Sequence, residues 1–328
     1  MRFGLMLFTD SFGTGVSSKE VLDWSLEYVA EADRAGWDEV WTTEHHFTSV
    51  VHNPSAVAMA AFLLGRTRMG VGTAVSVLPN HHPVALAEQA ALLHHLSGGR
   101  FTLGVGRGVP MVDQEVFGDG LAGYRDISGR LATLAATLRD GGYGDLALVP
   151  DPPENPPVAL SVASVPSARL AGEVGVPVIL GPFVSLADKR ALLDAHAEAA
   201  AAGGHHLDPR DNTDSTYFAV ADTTVAARRL LIDGVRALAL RGAPGSRSMI
   251  EQPEMTPEAA EAMAHQAVDH LVAGDPEECA RQLAQRQALL GTGRTILMPE
   301  GAGSRGAVLD TVRRAGAGVF PVVRGRAA

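Results

Sequence analysis

Short apolar runs alternate with longer amphipathic runs along almost the whole chain, and this alternation restricts the possible fold more than any other feature. Eight of the short runs have the length and composition of buried strands, and a helical pattern follows each of them. Eight successive strand–helix units favour a parallel sheet closed into a TIM (β/α)8 barrel, an α/β fold. The predicted strands are residues 2–8, 38–42, 68–77, 101–105, 158–161, 177–180, 216–221 and 294–298.

A doubly wound open sheet is the alternative arrangement of such units, and it needs a glycine-rich phosphate loop after the first strand. The loop here, TDSFGTG at residues 9–15, has neither the G-x-G-x-x-G nor the Walker spacing. Five prolines between Pro150 and Pro157 could separate two domains, but the strand–helix alternation resumes directly after them. We therefore predict a single barrel domain over residues 1–328.

One long insertion interrupts the pattern after the seventh strand and its helix. Residues 242–257 are polar, contain several prolines and glycines, and show no apolar period. Loops of this length without periodicity are usually functional lids or disordered segments. We predict a lid over the working end of the barrel, and a plain surface insertion is the alternative.

Charge and composition exclude several classes of partner. The net charge of −10 disfavours nucleic acid, and no apolar run reaches the roughly 18 residues that a membrane-spanning helix needs. The opening residues MRFGLMLFTD lack the length and cleavage site of a signal peptide. The only cysteine, Cys279, lies in a helical pattern and is expected to be a small buried hydrophobic residue. We therefore expect a cytoplasmic protein that binds neither nucleic acid nor membrane.

Working residues of α/β barrels follow the carboxyl ends of the strands. His45, in the run EHHF, follows the second strand, and an imidazole with a near-neutral pKa suits proton transfer. Arg107 lies between two glycines after the fourth strand, where its guanidinium can bind an anion. Ser164 and Ser167 flank a predicted helix N-terminus, which favours phosphate, although both could serve only as helix caps. The adjacent histidine pairs lack zinc-binding spacings, so we predict no metal site.

Three motifs within residues 42–108 occur in a fixed order: EHHF, GTAVSVLPNHHPV and LSGGRFTLGVGRG. In their order and spacing they resemble the luciferase-like monooxygenases, in particular the α subunit of bacterial luciferase. Residues 160–177 are similar to the strand–helix unit with which this family contacts phosphate. The resemblance extends over residues 1–180 and is weaker beyond them.

The resemblance implies a TIM barrel that binds reduced flavin and often forms a homodimer. The cofactor is FMN, used as FMNH2 with oxygen, or alternatively the deazaflavin F420. The family's catalytic histidine falls on His45, near the reactive edge of the flavin ring, and its phosphate contacts fall on Arg107, Ser164 and Ser167.

Two further positions of the flavin site follow from the same resemblance. The family's non-proline cis peptide bond falls between Ala74 and Val75. Gly106 stands where some luciferases have a reactive cysteine, and this exchange removes bulk over the flavin. Pro110 and Ala163 also depart from luciferase residues, which leaves the identity of the substrate open.

The function that the resemblance implies is a flavin-dependent monooxygenase. Oxygen adds to FMNH2 to give a C4a-peroxyflavin, which oxygenates a small aldehyde, ketone or aromatic substrate. The chain has no nicotinamide-binding fingerprint, so a separate flavin reductase is expected to supply the FMNH2. Two alternatives remain: an F420-dependent dehydrogenase or reductase of the same fold, and a non-catalytic flavin-binding protein or partner subunit.

Overall fold

The structure is a computed structural model that describes residues 1–151, 155–241, 247–251 and 255–326. Within these residues, eight parallel strands form a ring in which β8 pairs with β1, and β6 pairs with β7. The predicted TIM barrel is confirmed. The barrel strands are β1 (Arg2–Leu7), β2 (Glu39–Thr42), β3 (Gly70–Thr73), β4 (Phe101–Gly106), β5 (Val158–Val162), β6 (Val178–Leu180), β7 (Thr213–Val220) and β8 (Arg294–Met298).

Helices surround the barrel. The first begins with a capping box: the hydroxyl of Ser17 accepts a hydrogen bond from the backbone N–H of Glu20 (3.3 Å), and the carboxylate of Glu20 accepts one from the N–H of Ser17 (3.0 Å). Within the described residues, no helix combines the length and apolar character that a membrane crossing requires. The helices are α1 (Ser18–Arg34), α2 (Ala56–Leu64), α3 (Pro83–Leu96), α4 (Asp113–Phe117), α5 (Gly120–Arg125), α6 (Ser128–Asp140), α7 (Val165–Val174), α8 (Leu186–Ala202), α9 (Thr224–Arg241), α10 (Pro257–Val268), α11 (Pro276–Leu290), α12 (Arg305–Arg314) and α13 (Phe320–Arg326).

The indole of Trp41 fills the middle of the barrel. A Cβ atom at Gly4 of β1 would lie 2.6 Å from this indole, and one at Gly72 of β3 would lie 2.4 Å from it, so both neighbouring strands need glycine there. Below it, the carboxylate of Glu39 accepts a hydrogen bond from Trp41 Nε1 (3.0 Å) and pairs with Arg294 (2.7 Å). These side chains separate a cleft at the amino-terminal end of the barrel from the cavity at its carboxyl end.

Six of the eight predicted strands agree with the structure within one residue at each end. The strand predicted over 68–77 is wrong as one element, because Gly70–Thr73 pairs with β2 and a separate short strand, Ser76–Val77, pairs with β4. The seventh strand begins at Thr213, three residues earlier than predicted. Its first residues are polar but buried, since Asp214 pairs with Lys189 and Arg286.

The sequence pattern also predicts helices near 124–139, over 258–272 and over 304–315, and all three differ from the structure. The helix predicted near 124–139 is divided between the end of α5 and α6, the short helix α4 lies in the loop predicted before it, and a hairpin of Gly142–Tyr143 with Leu146–Ala147 follows α6. The helix predicted over 258–272 ends at Val268, and Val272–Gly274 forms a strand beside β7. The final helix does not end at Ala315. It continues through a π-helical turn into α13, because the buried side chain of Phe320 stacks on Phe3 at 4.2 Å.

Candidate functional site

A cavity of about 490 Å³ opens at the carboxyl end of the barrel, where the loops after the strands meet. This volume lies within the range of pockets that hold small molecules and cofactors. Most of the wall is apolar. The apolar lining residues are Met6, Phe8, Val51, Ala74, Val75, Val77, Val109, Met111, Ile179, Pro182, Phe183, Leu238 and Met298.

His45 follows β2 and lines this cavity, as the sequence predicted. Its backbone N–H donates to the carbonyl oxygen of Asn53 (2.9 Å), and its ring packs edge-on against Phe8 with the centroids 4.9 Å apart. Burial lowers the pKa of His45 to about 4, although the neighbouring Glu44 opposes this shift. The imidazole is therefore neutral at pH 7, and one of its ring nitrogens is available to accept a proton.

Glu44 is almost fully buried beside His45 and holds a negative charge there. Its Oε1 lies 3.0 Å from Nε2 of His81 and 3.5 Å from Nε2 of His46, and it accepts a hydrogen bond from the N–H of Val77 (3.2 Å). Burial by itself would raise the pKa of Glu44, but the contacts with His46 and His81 outweigh it and hold the pKa at about 2. The sequence analysis missed this carboxylate. Its only sequence signal was the run EHH at residues 44–46 together with the later histidine pair at residues 81–82.

The predicted flavin-ring contacts lie together at one wall. Ala74 and Val75 line the cavity, and the peptide bond between them is cis. Gly106, at the end of β4, is packed closely against Val75: a Cβ atom there would lie 2.8 Å from Val75 Cγ2. Any larger residue at position 106 would push Val75 out of place, so the glycine shapes this wall although it is not itself exposed to the cavity.

Arg107 lies outside the cavity wall, at the next position along the chain. Its side chain is exposed, with the guanidinium carbon 4.6 Å from the centre of the Tyr124 ring. In the described part of the chain it forms no ion pair. A guanidinium held over an aromatic ring without a carboxylate partner remains free to bind an anion.

Ser164 and Ser167 lie at the start of α7, as predicted. Their hydroxyl oxygens are 3.0 Å apart, and the Ser167 hydroxyl donates to the carbonyl oxygen of Ser164 (2.8 Å). Val105 of β4 pairs with Leu160 of β5. Arg107 and Ser164 therefore follow the ends of two neighbouring strands, at the same end of the barrel. Ser164 is the N-cap of α7, so the two hydroxyls lie at the strand end that neighbours the one followed by Arg107.

Part of the predicted lid contacts the rim of the cavity. The N–H of Met249 donates a hydrogen bond to the carbonyl oxygen of Pro110 (2.7 Å). The N–H of Val112 donates one to the carbonyl oxygen of Arg247 (2.7 Å). Arg247 also pairs with Glu115 at 3.0 Å. Residues 242–246 and 252–254 of the predicted lid lie outside the described residues.

Comparison with known proteins gives the family of this barrel. A family model described as luciferase-like monooxygenase matches residues 1–293. The chain belongs to this family. The resemblance drawn from the motifs is thereby confirmed, and the family supports an oxidoreductase. The chain is also 29% identical over 243 residues to an alkanal monooxygenase alpha chain of Photorhabdus luminescens, covering 70% of this chain and 67% of that one.

Solved structures of other enzymes share the fold. The oxygenating constituent of 3,6-diketocamphane monooxygenase from Pseudomonas putida, solved in complex with FMN, has a TM-score of 0.76 at 20% identity over 98% of each chain. An F420-dependent secondary alcohol dehydrogenase has a TM-score of 0.73 at 18% identity, covering 98% of this chain and 99% of that one. Both flavin and deazaflavin enzymes thus have this barrel.

Proposed function

We propose that the protein is a monooxygenase that uses reduced FMN and oxygen to oxygenate a small organic substrate. The observation that carries this proposal is the imidazole of His45, buried in the wall of a mostly apolar cavity at the carboxyl end of the barrel. When bound, reduced FMN would supply the two electrons that activate oxygen. The residues of the chain would bind it, keep water away and move protons.

The residues at the carboxyl end fit a flavin mononucleotide on two observations. The guanidinium of Arg107 has no carboxylate partner in the described residues, and the hydroxyls of Ser164 and Ser167 lie at the neighbouring strand end. Together they would hold the phosphate. Ala74, Val75 and the closely packed Gly106 would form the wall against the flavin ring.

His45 would move the proton of the reaction at one of its ring nitrogens. A neutral imidazole can accept a proton, and the ionised Glu44 beside it would stabilise the imidazolium that results. His81 and His46 keep Glu44 in place and ionised, so they support His45 indirectly.

We also propose a separate flavin reductase as a partner and a location in the cytoplasm. No nicotinamide-binding fingerprint occurs in the sequence, so reduced FMN must come from elsewhere. A reducing compartment suits a chain whose one cysteine, Cys279, is buried and unpaired.

The test is to mix the protein with reduced FMN and oxygen and to follow hydrogen peroxide. Because apolar walls exclude water, the protein should delay peroxide release relative to free reduced FMN. Hydride transfer from reduced F420 to a ketone without oxygen would instead favour the F420-dependent dehydrogenase. Flavin binding without an effect on either reaction would indicate a non-catalytic flavin-binding protein or a partner subunit.

We propose a homodimer formed through α2 and α3. α2 has no polar residue, yet Phe62 on its outer side is 45% exposed to solvent. On α3, Leu92 is 43% exposed and Leu96 is 73% exposed. Helices that are apolar all round are normally buried. The change Leu92→Glu is therefore expected to convert a dimer into monomers in sedimentation velocity. Leu289→Glu, on α11 and also 43% exposed, is the matched control and should leave the dimer intact.

Deleting residues 243–255 tests the lid. The described part of this segment pairs with Pro110 and Val112 at the cavity rim, so we propose that it shields the reduced flavin from water. The deletion should leave the barrel folded and FMN binding largely intact, while most reduced FMN is diverted to hydrogen peroxide. If the deletion variant couples oxygen consumption to product as well as the parent does, the segment is not a lid.

A further inference from the structure

Tyr217 is a polar residue of the cavity that the proposed chemistry leaves unused. It lies on β7, is only 5% exposed and lines the 490 Å³ cavity, where its ring packs against Phe183 with the centroids 4.9 Å apart. It also borders a second space of about 10 Å³, roughly the size of one water molecule, beside Asp10 and Glu300.

The hydroxyl of Tyr217 has no hydrogen-bond partner among the residues that the structure describes. The side chain borders two cavities at the carboxyl end of the barrel, the large one and the water-sized one beside Asp10 and Glu300. Leaving a buried hydroxyl unpaired is unfavourable, so a molecule in the cavity is the expected partner.

This hydroxyl acts as a donor throughout the working pH range. Burial, and then the carboxylates of Asp10 and Glu300, raise the pKa of Tyr217 well above its usual value. The phenol therefore keeps its proton. A group that keeps its proton recognises an acceptor atom, such as the oxygen of a carbonyl, ether or hydroxyl.

The charges around the cavity restrict the ligand further. Among the described residues that line it, none is lysine or arginine, whereas Glu44 and Asp113 are carboxylates. An anionic substrate would meet repulsion and find no counter-ion. At the rim, the exposed rings of Phe47 and Phe117 stack with centroids 5.6 Å apart and add apolar surface at the entrance. These features favour an uncharged and largely apolar molecule.

We propose that Tyr217 determines substrate specificity by donating a hydrogen bond from its hydroxyl to an oxygen atom of an uncharged, mostly apolar substrate. The inference rests on the proposed function in one respect, namely that this cavity is where the substrate binds. It adds the residue that recognises the oxygen atom of the substrate.

Two probes that differ only in the acceptor test this inference. Both 4-fluoroacetophenone and 4-fluoroethylbenzene are neutral and similar in size, but only the ketone has a carbonyl oxygen. Their dissociation constants are measured by ¹⁹F NMR titration against the protein without flavin. One neutral hydrogen bond should make the ketone bind about 3- to 10-fold more tightly. Tyr217→Phe should abolish this preference while leaving the affinity for 4-fluoroethylbenzene unchanged.

The control is Tyr28→Phe, which removes a buried, unpaired hydroxyl away from the cavity and should leave both affinities unchanged. A ketone preference that persists in Tyr217→Phe overturns the inference. A separate titration of Tyr217→Phe with FMN also tests the inference: a loss of affinity for FMN and not for the ketone overturns it, because the hydroxyl would then contact the flavin. Since the ketone titration contains no flavin, its outcome is independent of the peroxide assay that tests the proposed function.

Discussion

Replacing His45 with alanine is expected to lower turnover by roughly 10²- to 10⁴-fold, the usual contribution of a positioned proton-transfer group. The dissociation constant of FMN should change little, because the proposed phosphate contacts lie on other strands. Stopped-flow turnover and a fluorescence titration of FMN measure the two quantities separately. His206→Ala removes an exposed histidine in the loop between α8 and β7 and should leave both quantities unchanged.

The pH profile gives a second test of His45. A base must be neutral to accept a proton, and burial lowers the pKa of His45 to about 4. Activity limited by this group should therefore stay level from pH 8 to about pH 5 and fall only as the pH approaches 4. An acid limb near pH 6.5, the value for an exposed histidine, would contradict this assignment. Unchanged turnover in His45→Ala would make His45 a structural residue.

Replacing Arg107 with alanine is expected to weaken FMN binding by about 1.5–3 kcal/mol, the usual contribution of a hydrogen bond to a charged group. This corresponds to roughly a 10- to 150-fold rise in the dissociation constant. Riboflavin lacks the phosphate and should bind the parent and the variant equally well. Titrating both ligands against both proteins by fluorescence quenching measures the difference.

Arg66 provides a matched control for this substitution. Its guanidinium lies 4.8 Å from the centre of the exposed Phe62 ring, much as that of Arg107 lies 4.6 Å from the centre of the Tyr124 ring. Arg66 is also exposed, but it follows the carboxyl-terminal end of α2. Arg66→Ala should leave both affinities unchanged. An equal loss of FMN and riboflavin in Arg107→Ala would show that the arginine supports the fold of the loop and not the phosphate.

The barrel could be predicted from the sequence because its main signals are local. Apolar period and length distinguish strand from helix within a few residues, and Ser17 caps α1 with a partner three positions away. Cys279, expected to be a buried small residue, is fully buried. His45 and Arg107 could be selected because residues that follow barrel strands meet at one end. Their roles in flavin chemistry stay predictions.

The features that the sequence did not reveal all depend on residues that are distant along the chain. Glu44 is ionised because His81, 37 positions later, reaches it. The start of β7 is buried because Asp214 meets Lys189 and Arg286 from two other helices. Tyr217 borders a cavity whose walls come from most of the strands. Sequence alone determined the order of the eight barrel strands and the family, since those follow from patterns of neighbouring residues. The tertiary structure decided which polar groups are buried, charged or left without a partner, because burial and pairing arise only when distant segments pack together.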